Sequence, residues 1–508
     1  MWMPMLVYHS KFILQTYYLI HLHYEYKDLS RQLHIRYENP KLLIALQLGL
    51  PMKQKVLILS LICLWCTVIY LTACSPSEKY THSKDVAPIL YENCTPCHRS
   101  GGAAPFSLTT FQQVNRKKNT ILDVTQSGLM PPWPADRNYS HFIGERYLTY
   151  EEKNIIKEWI EHGAEEGDTN DLPKAPTYSD LSYIGEPDTT IWFDSIYIEG
   201  NSRDKFYIAT APILLPSKKY VRAMEFLPNE NNLVHHMNGR LLNYEDSLKA
   251  DIFLGERLLN LEVSEEEYVA QFNALKLAND DESRPDQINS AVNYLPGVEA
   301  QLYPKGLGGF TMNRKSILIA DDIHFGPIPV GKWDRSRVNI FFSDSPPKRP
   351  INEVMLGTNG ASKIIPPLVI PPNEIMKHTS FLEIPQDISV LTINPHMHLL
   401  GKSFKSYALT PSQDTIRLIS IPEWDFRWQY FYTFPTMLKI PAGSVIYVEA
   451  EFDNTNQNPN NPYNPPQEIK ERYEFGGAGM RTTDEMLQFI ITWLPYQDGD
   501  EKVSLEIE

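Results

Sequence analysis

The chain has 508 residues, of which 42% are hydrophobic and 21% are charged, so two to four domains with cores of their own are expected. This composition fits neither a disordered chain nor a polytopic membrane protein. The formal net charge of −15 argues against a nucleic-acid partner, since phosphate binding needs a basic surface. The 39 prolines favour a turn-rich, strand-rich architecture, and no cysteine follows Cys97, which excludes disulfides from the rest of the chain.

The N-terminal part has the pattern of an export signal preceded by a segment without a motif. Residues 1–51 carry no clear periodicity, and we interpret them as a mis-assigned start rather than a domain. Residues 52–73 contain two lysines, then 18 uncharged residues, and end in Leu-Thr-Ala before Cys74. This ending resembles the bacterial lipobox, which implies acylation of Cys74 and a membrane anchor outside the cytoplasm, in the periplasm or at the cell surface, followed by a tether over 74–84. A transmembrane anchor is the alternative.

Five consecutive residues, from Cys94 to His98, form the attachment signature of c-type haem. The thiols of Cys94 and Cys97 are placed to bond the two vinyl groups, and His98 is placed to reach the iron. A disulfide or half of a zinc site are the alternatives, but no second cysteine pair follows that could complete a zinc site. We therefore predict covalent haem.

The sequence around this signature resembles a small class I cytochrome c over residues 85–167. A short helix is expected before Cys94, and a closing helix with Trp159 on its apolar face is expected after Thr149. The resemblance implies that His98 and Met130, which lies in a proline-rich loop, are the axial ligands. A core methionine is the alternative for Met130, and His141 is the competing sixth ligand. Residues 168–189 are acidic and polar and are predicted to be a linker.

Beyond the linker, short β-branched and aromatic runs alternate with Pro, Gly and Asn turns, which predicts two all-β lobes of sandwich or jelly-roll type. The strand-like runs include 190–193, 316–320, 337–342 and 444–448. A proline-rich stretch at 365–372 divides the region into a first lobe, 190–364, and a second lobe, 365–508. Ser264 and Glu267 form a capping-box pattern and predict one helical insertion.

Five of the six histidines after residue 165 fall in three short contexts, and these are His235, His236, His324, His396 and His398. Residues two apart on a strand share a face, so the last two can bind one ion together. The adjacent His235 and His236 need a bulge or loop to turn the same way. Imidazole with thioether nearby and no cysteine favours copper over structural zinc. Taken singly, each histidine is more readily explained as a core or surface residue.

The order of these motifs resembles the type II copper, ascorbate-dependent monooxygenases, the family of the peptidylglycine and dopamine hydroxylases. The motifs that carry the resemblance are His235-His236-Met237, Ile323-His324-Phe325, His396-Met397-His398-Leu399-Leu400-Gly401, Thr483-Asp484-Glu485-Met486 and Tyr294-Leu295-Pro296-Gly297. The resemblance implies a first copper on His235, His236 and His324. It implies a second, oxygen-binding copper on His396, His398 and Met486. A core methionine is the alternative for Met486.

The expected function is therefore a membrane-tethered haem c and dicopper monooxygenase that hydroxylates a small organic substrate with O2. Ascorbate, a quinol-linked donor or a soluble redox protein would supply the electrons, and we expect the haem to feed the first copper. Asn394 and Ile490 stand where the peptide-amidating enzymes have arginine and tyrosine, which argues against a peptidylglycine substrate. Asp321 and Asp322 are candidate hydrogen-bond acceptors for His324, or else surface carboxylates. The alternatives are a non-catalytic electron-transfer or copper-binding lipoprotein and a scaffold.

Overall fold

The structure is a computed structural model, and the residues that it describes are 79–102, 104–178, 182, 184–201, 204–230, 233–261, 263–295, 300, 302–304, 306–471 and 483–506. The predicted signal at 52–73, the acylation site Cys74, most of the tether and the Pro296-Gly297 pair lie outside these ranges. Across the described ranges, no helix has both the length and the apolar character needed to cross a membrane. Residues 80–508 form one compact unit.

The N-terminal part of this unit is helical. A π-helical turn, His82–Val86, leads into α1, Ala87–Asn93, and two longer helices follow, α2, Phe111–Gln126, and α3, Tyr150–Glu161. Capping boxes at Thr110 and Thr149 begin the two longer helices, because each threonine accepts the N3 amide while the N3 side chain binds back. Trp159 on α3 is buried among the apolar side chains of the other helices, as its spacing predicted.

The first lobe consists of two antiparallel sheets that enclose a common core. One sheet has the order β1-β11-β4-β8 and the other has the order β6-β3-β9-β5-β7. Alternate residues of β9 and β11, such as Leu318, Ala320, Val338 and Ile340, meet between the sheets. The strand bounds are β1, Thr189–Trp192; β2, Ile196–Ile198; β3, Lys205–Leu214; β4, Lys219–Leu227; β5, Val234–Tyr244; β6, Leu258–Asn260; β7, Asp286–Tyr294; β8, Phe310–Met312; β9, Lys315–Phe325; β10, Lys332–Asp334; and β11, Arg337–Ser343.

One helix covers the outer face of the larger sheet in this lobe. This helix, α4, Glu265–Ala274, begins where the sequence predicted it, and Ser264 caps it by accepting the amide of Glu267. Tyr268 of the helix is buried against Leu242 and Ile319 of the sheet. The sheet is therefore apolar on both faces over part of its area, which leaves its strand ends as the places for polar side chains.

The second lobe repeats the same design of a four-stranded and a five-stranded sheet. Their orders are β12-β22-β16-β19 and β13-β15-β20-β17-β18, and both sheets are antiparallel. The strand bounds are β12, Asn352–Gly357; β13, Ile364–Ile365; β14, Val369–Ile370; β15, Ile375–Glu383; β16, Ile388–Met397; β17, Gly401–Leu409; β18, Thr415–Ile421; β19, Tyr432–Ile440; β20, Val445–Asp453; β21, Ile469–Lys470; and β22, Leu487–Pro495. Across the described residues the chain is mostly β-sheet with few helices, in agreement with the β-rich fold expected from the sequence.

The boundary between the lobes differs from the expected one. β12 pairs with β22 along its whole length, from Asn352 opposite Trp493 to Gly357 opposite Gln488. Residues 352–364, which we expected in the first lobe, therefore include a strand of the second. The proline-rich stretch marks an edge inside the second lobe rather than a division, because proline suits an edge strand as well as a linker.

The loop between α2 and α3 leaves the helices and packs against the second lobe. Ala135 and Phe142 are buried in the core of that lobe, and Trp133 packs against it. The backbone amides of Asp136 and Ile143 donate to the carbonyls of Ser420 and Thr433 at 2.8 Å each. Helical part and second lobe are thus joined through side chains and main chain together.

Candidate functional site

Three histidines of the first lobe come together at the ends of two neighbouring strands. His235 and His236 lie on β5, and His236 is directly opposite His324 on β9. The register slips between Val234 and His236, so an irregularity of the strand turns the adjacent imidazoles toward one place, as the sequence required. The ring centroids of His235 and His236 are each 4.9 Å from that of His324. We call these three residues the first cluster.

A carboxylate that the sequence did not reveal orients this cluster. Asp204 accepts a hydrogen bond from Nε2 of His324 at 2.7 Å, while Nδ1 of His324 lies 3.3 Å from Nδ1 of His236. Burial acts to raise the pKa of Asp204, but the hydrogen bond from His324 and the charge interactions with His324 and His235 together outweigh burial, and the pKa is lowered. Burial lowers the pKa of His324 to about 4, so its imidazole is neutral at neutral pH, as a metal ligand must be.

Asp321 and Asp322, the hydrogen-bond acceptors expected for His324, are not its partners among the described contacts. Asp321 lies 3.0 Å from the guanidinium of Arg240, so its partner is that arginine. The side chain of Asp322 lies outside the described part of the chain. Asp204 stands 120 residues before His324 and directly before β3, and no local pattern marks it.

The spacing of the first cluster suits a single small ion. Nδ1 of His236 and Nδ1 of His324 are 3.3 Å apart, so both imidazoles could bind the same ion. The carboxylate of Asp204 behind His324 would fix the orientation of that ligand, as carboxylates do behind ligating histidines in proteins. In the described residues, no group of three or more His, Cys, Asp or Glu side chains is arranged as a ready metal site.

The second cluster consists of His396, His398 and Met486. The imidazoles of His396 and His398 leave the end of β16 with their ring centroids 5.1 Å apart. β16 pairs with β22 up to Met397 opposite Leu487, so His398 directly follows and Met486 directly precedes the last paired residues. Met486 is 4% exposed. The three predicted donors of the second lobe thus come from two adjacent strand ends.

A buried carboxylate holds the backbone of this second cluster. Glu485 is fully buried, and its oxygens accept the amides of His398, Leu400 and Met486 at 3.0, 2.6 and 3.2 Å. Burial raises the pKa of Glu485 to about 8, although the three amides act in the opposite direction. Nδ1 of His398 also lies 3.0 Å from the carbonyl oxygen of Asp484. Glu485 belongs to the motif Thr483-Asp484-Glu485-Met486, but the sequence did not predict that it accepts these three backbone amides.

One aromatic side chain lies between the two clusters. The ring centroid of Phe426, in the loop between β18 and β19, is 6.2 Å from that of His236 and 5.7 Å from that of His398. The centroids of these two imidazoles are therefore at most about 12 Å apart. Phe426 also lies 6.4 Å from His324. The clusters lie on either side of this ring, although their residues are spread over about half of the chain.

A cavity of about 880 Å³ between the lobes reaches both clusters. Its lining includes His236 and His396, together with Tyr294, Asn394 and Phe431. Asn394 stands where the peptide-amidating enzymes have arginine. Its side-chain amide donates to the backbone carbonyls of Gln429 and Tyr430 at 3.3 and 2.9 Å. It thus supports the loop that leads from Phe426 into β19. The volume suits a small organic molecule.

The predicted haem-binding residues lie directly after α1. Cys94 and Cys97 are free thiols and do not form the disulfide that was the alternative. Burial raises the pKa of Cys94 to about 12. Nδ1 of His98 lies 3.0 Å from the carbonyl oxygen of Phe106, which fixes the ring and leaves Nε2 as the ligating nitrogen. This arrangement suits a proximal haem ligand.

The two candidates for the sixth ligand differ in their surroundings. Met130 is half-buried at the end of α2, where its amide donates to the carbonyl of Val124, and its role as an axial ligand stays a prediction. The side chain of His141 is 71% exposed and lies 3.2 Å from Glu145. His141 therefore sits on the outer side of the loop that packs against the second lobe, which speaks against it as the ligand.

Comparisons with known proteins add no family assignment. No protein-family model and no curated protein matches the chain. Among solved structures, the chain is similar to the infectious bursal disease virus VP2 subviral particle at 10% sequence identity, over 64% of this chain and 80% of that chain. The TM-score is 0.14, and this similarity carries no argument about fold or function. The resemblances drawn from the motifs stay predictions.

Proposed function

We propose that the chain is an extracytoplasmic monooxygenase that holds covalent haem c and two copper ions and acts on a small organic substrate. The observation that carries the proposal is that the two histidine clusters lie near one another beside Phe426, and that one cavity reaches His236 of the first and His396 of the second. Five histidines from three distant sequence contexts lie in this region, whereas unrelated core histidines would lie apart. Several agreeing features of one site support an assignment better than any single motif does.

In the first cluster the chain's residues would hold an ion firmly. Three neutral imidazoles suit copper in both of its oxidation states. Asp204 holds the Nε2 proton of His324 at 2.7 Å and so presents Nδ1 to the place that His236 also faces.

In the second cluster two imidazoles and one thioether would leave a position open. A thioether is a soft, weak donor that favours reduced copper, the form that reacts with oxygen. Glu485 and the carbonyl of Asp484 fix the backbone of His398 and Met486 and the ring of His398. When bound, haem and copper would supply the electron transfer and oxygen activation that no side chain of the chain can supply. The cavity beside His396 would position the substrate.

Membrane attachment belongs to the same proposal. We propose that Cys74 carries the lipid, which would place the acidic chain outside the cytoplasm, where haem c is attached and where ascorbate, a quinol-linked donor or a soluble redox protein can reduce it. The loop around Trp133 packs on the second lobe and lines a cavity together with Met224 and Val292 of the first lobe, which supports both lobes as neighbours of the haem.

Metal analysis of the purified, acylated chain tests the composition. We expect one iron and two coppers per chain. The iron should stay with the protein after denaturation, because two thioether bonds hold the haem. Cys94→Ala together with Cys97→Ala should release it. One copper or none in the native protein would contradict the dicopper assignment.

Oxygen uptake tests the reaction. Met486→Leu removes the thioether while keeping the volume, so the copper-loaded variant should lose oxygen uptake with ascorbate by about two orders of magnitude or more. Met437→Leu is the matched control, because Met437 is 1% exposed and lies in a separate apolar cluster. If the native protein consumes no oxygen with any reductant, the proposal is wrong and the non-catalytic copper and electron carrier is the better assignment.

A further inference from the structure

The cavity between the lobes has an unusual polar lining. Its described lining includes eight carboxamide side chains, among them Asn238, Asn293, Gln429 and Gln488. Carboxamides carry no charge and both donate and accept hydrogen bonds. They match hydroxyl and amide groups, which also do both, better than they match ions.

Charges in the same lining balance one another. Two arginines and two acids are present, and the deeper pair, Arg240 and Asp321, is 3.0 Å apart with about three-quarters of each side chain buried. Arg240 also donates to Oε1 of Gln287. Near His396, Asn394 donates its side-chain amide to two backbone carbonyls. An ionised ligand held beside the Arg240–Asp321 pair would therefore lose hydration at a place where the two charges already neutralise each other.

One carboxamide of the lining, that of Gln429, has a buried oxygen atom without a hydrogen-bond donor among the described residues. Gln429 is 7% exposed, and its Nε2 donates to the carbonyl of Phe426 at 2.8 Å, which fixes the nitrogen end of the amide. Its Oε1 is buried and has no hydrogen-bond partner among the described residues. A buried acceptor without a donor costs about 1–3 kcal/mol, so a ligand that donates there gains what the protein alone does not supply.

We infer that the cavity binds an uncharged molecule with a hydroxyl or amide N–H group, and that Oε1 of Gln429 accepts a hydrogen bond from it. Tyr294 and Phe431 provide aromatic surface for the apolar part of the molecule. Naming this molecule the substrate rests on the proposed function, whereas its binding does not. Exclusion of charged molecules follows from the balanced lining.

Three isosteric probes test the inference on the full chain without added copper or reductant. These are benzamide, benzoate and benzamidine, which carry charges of zero, minus one and plus one at neutral pH. Titration followed by ligand-observed NMR should show benzamide binding at least about tenfold more tightly than either ion, because ~1.4 kcal/mol corresponds to a factor of ten. Benzyl alcohol then separates hydroxyl from amide recognition. Equal or tighter binding of either ion, or no binding of benzamide, overturns the inference.

Gln429→Glu separates recognition from folding. This variant keeps the volume and places a carboxylate at the same point, so benzamide should bind more weakly and benzamidinium at least tenfold more tightly than to the native chain. A misfolded protein cannot gain affinity. An unchanged order of the probes would show that Gln429 does not contact the ligand. A chain that prefers benzamide but never consumes oxygen contradicts only the proposed function, and one that consumes oxygen but prefers benzoate contradicts only this inference.

A second inference rests on other contacts, those of the loop that follows Met130. The hydroxyl of Tyr430 donates to the carbonyl of Pro132 at 3.0 Å, and the rings of Tyr430 and Tyr432 lie 5.5 and 5.4 Å from that of Trp133. The carbonyl of Tyr430 accepts from Asn394, two residues before His396. A short chain of contacts thus joins the loop to the second cluster.

We infer that Tyr430 is a positioning residue that fixes the Met130 loop on the second lobe. Tyr430→Phe removes only the hydroxyl, so amide exchange over residues 131–146 should speed up several-fold, and the haem reduction potential should shift as the loop loosens. Tyr407→Phe is the control, because the hydroxyl of Tyr407 binds only the exposed Glu449. Unchanged exchange in Tyr430→Phe overturns this inference. If the purified chain holds no haem but exchange still speeds up in Tyr430→Phe, this inference stands and only the proposed function is contradicted.

Discussion

The two clusters are built from similar side chains but are held in different ways. In the first cluster, one side-chain carboxylate, that of Asp204, orients His324, and it is 46% exposed. In the second, the fully buried Glu485 binds three backbone amides on both strands that supply donors. One cluster depends on a partly solvated charge, and the other depends on main-chain geometry.

This difference teaches where rigidity lies in the site. A carboxylate near water can be lost with little effect on folding, since water replaces it. A buried carboxylate that joins two strands belongs to the fold as well as to the site. We therefore expect that removing the carboxylate of the first cluster mainly lowers its affinity for copper. Removing the carboxylate of the second cluster should mainly lower the stability of the fold.

The largest expected effect is on stability at the second cluster. Glu485→Ala leaves three buried amides without an acceptor and should lower the free energy of unfolding by about 3–5 kcal/mol. Asp204→Ala should lower it by no more than about 1 kcal/mol, because that side chain is half-exposed. Urea unfolding of both variants measures the contrast, and equal losses would remove the distinction between the clusters.

Ligand affinity should show the reverse order. Asp204→Asn weakens the acceptor behind His324, so the affinity of the first cluster for copper should fall by about 10–100-fold while the second cluster keeps its affinity. Copper titration followed by electron paramagnetic resonance distinguishes the two ions. Asp321→Asn is the matched control, because Asp321 pairs with Arg240 rather than with a histidine. A similar loss in the control would argue against orientation by Asp204.

The smallest effect concerns a buried contact between the two lobes. Glu353 of β12, in the second lobe, is hydrogen-bonded to the side chain of Ser290 of β7, in the first lobe. Burial raises the pKa of Glu353 to about 7. Since the folded chain holds this proton more tightly than the unfolded chain, the stabilisation is complete below about pH 4.5 and is lost as the pH rises through about 7. Glu353→Gln should therefore flatten the fall in melting temperature between about pH 5 and about pH 8. An unchanged slope would mean that another group causes the fall.

Local patterns predicted several parts of the fold correctly. The capping residues Thr149 and Ser264 begin helices, and the run 316–320 lies within β9. Such features depend on neighbours in the sequence, so the sequence alone reveals them. The lobe boundary was misplaced because Asn352–Gly357 pairs with β22, about 135 residues later, and strand pairing over such a separation leaves no local mark.

The five histidines were singled out by their grouping along the sequence, whereas Met486 and the division into two donor sets came from the resemblance to the copper monooxygenases. The bulge at His235 and His236 was required by their adjacency. What the sequence by itself determined are the chemical groups, the strands and helices that carry them, and the acidic balance of the chain. Only the tertiary structure decided that Asp204 supports His324, that Phe426 separates the clusters, and that the Met130 loop packs on the second lobe. Most of these contacts join residues far apart in the sequence, such as Asp204 and His324 at 120 positions, and their partners are fixed by the packing of sheets rather than by any repeating pattern along the chain.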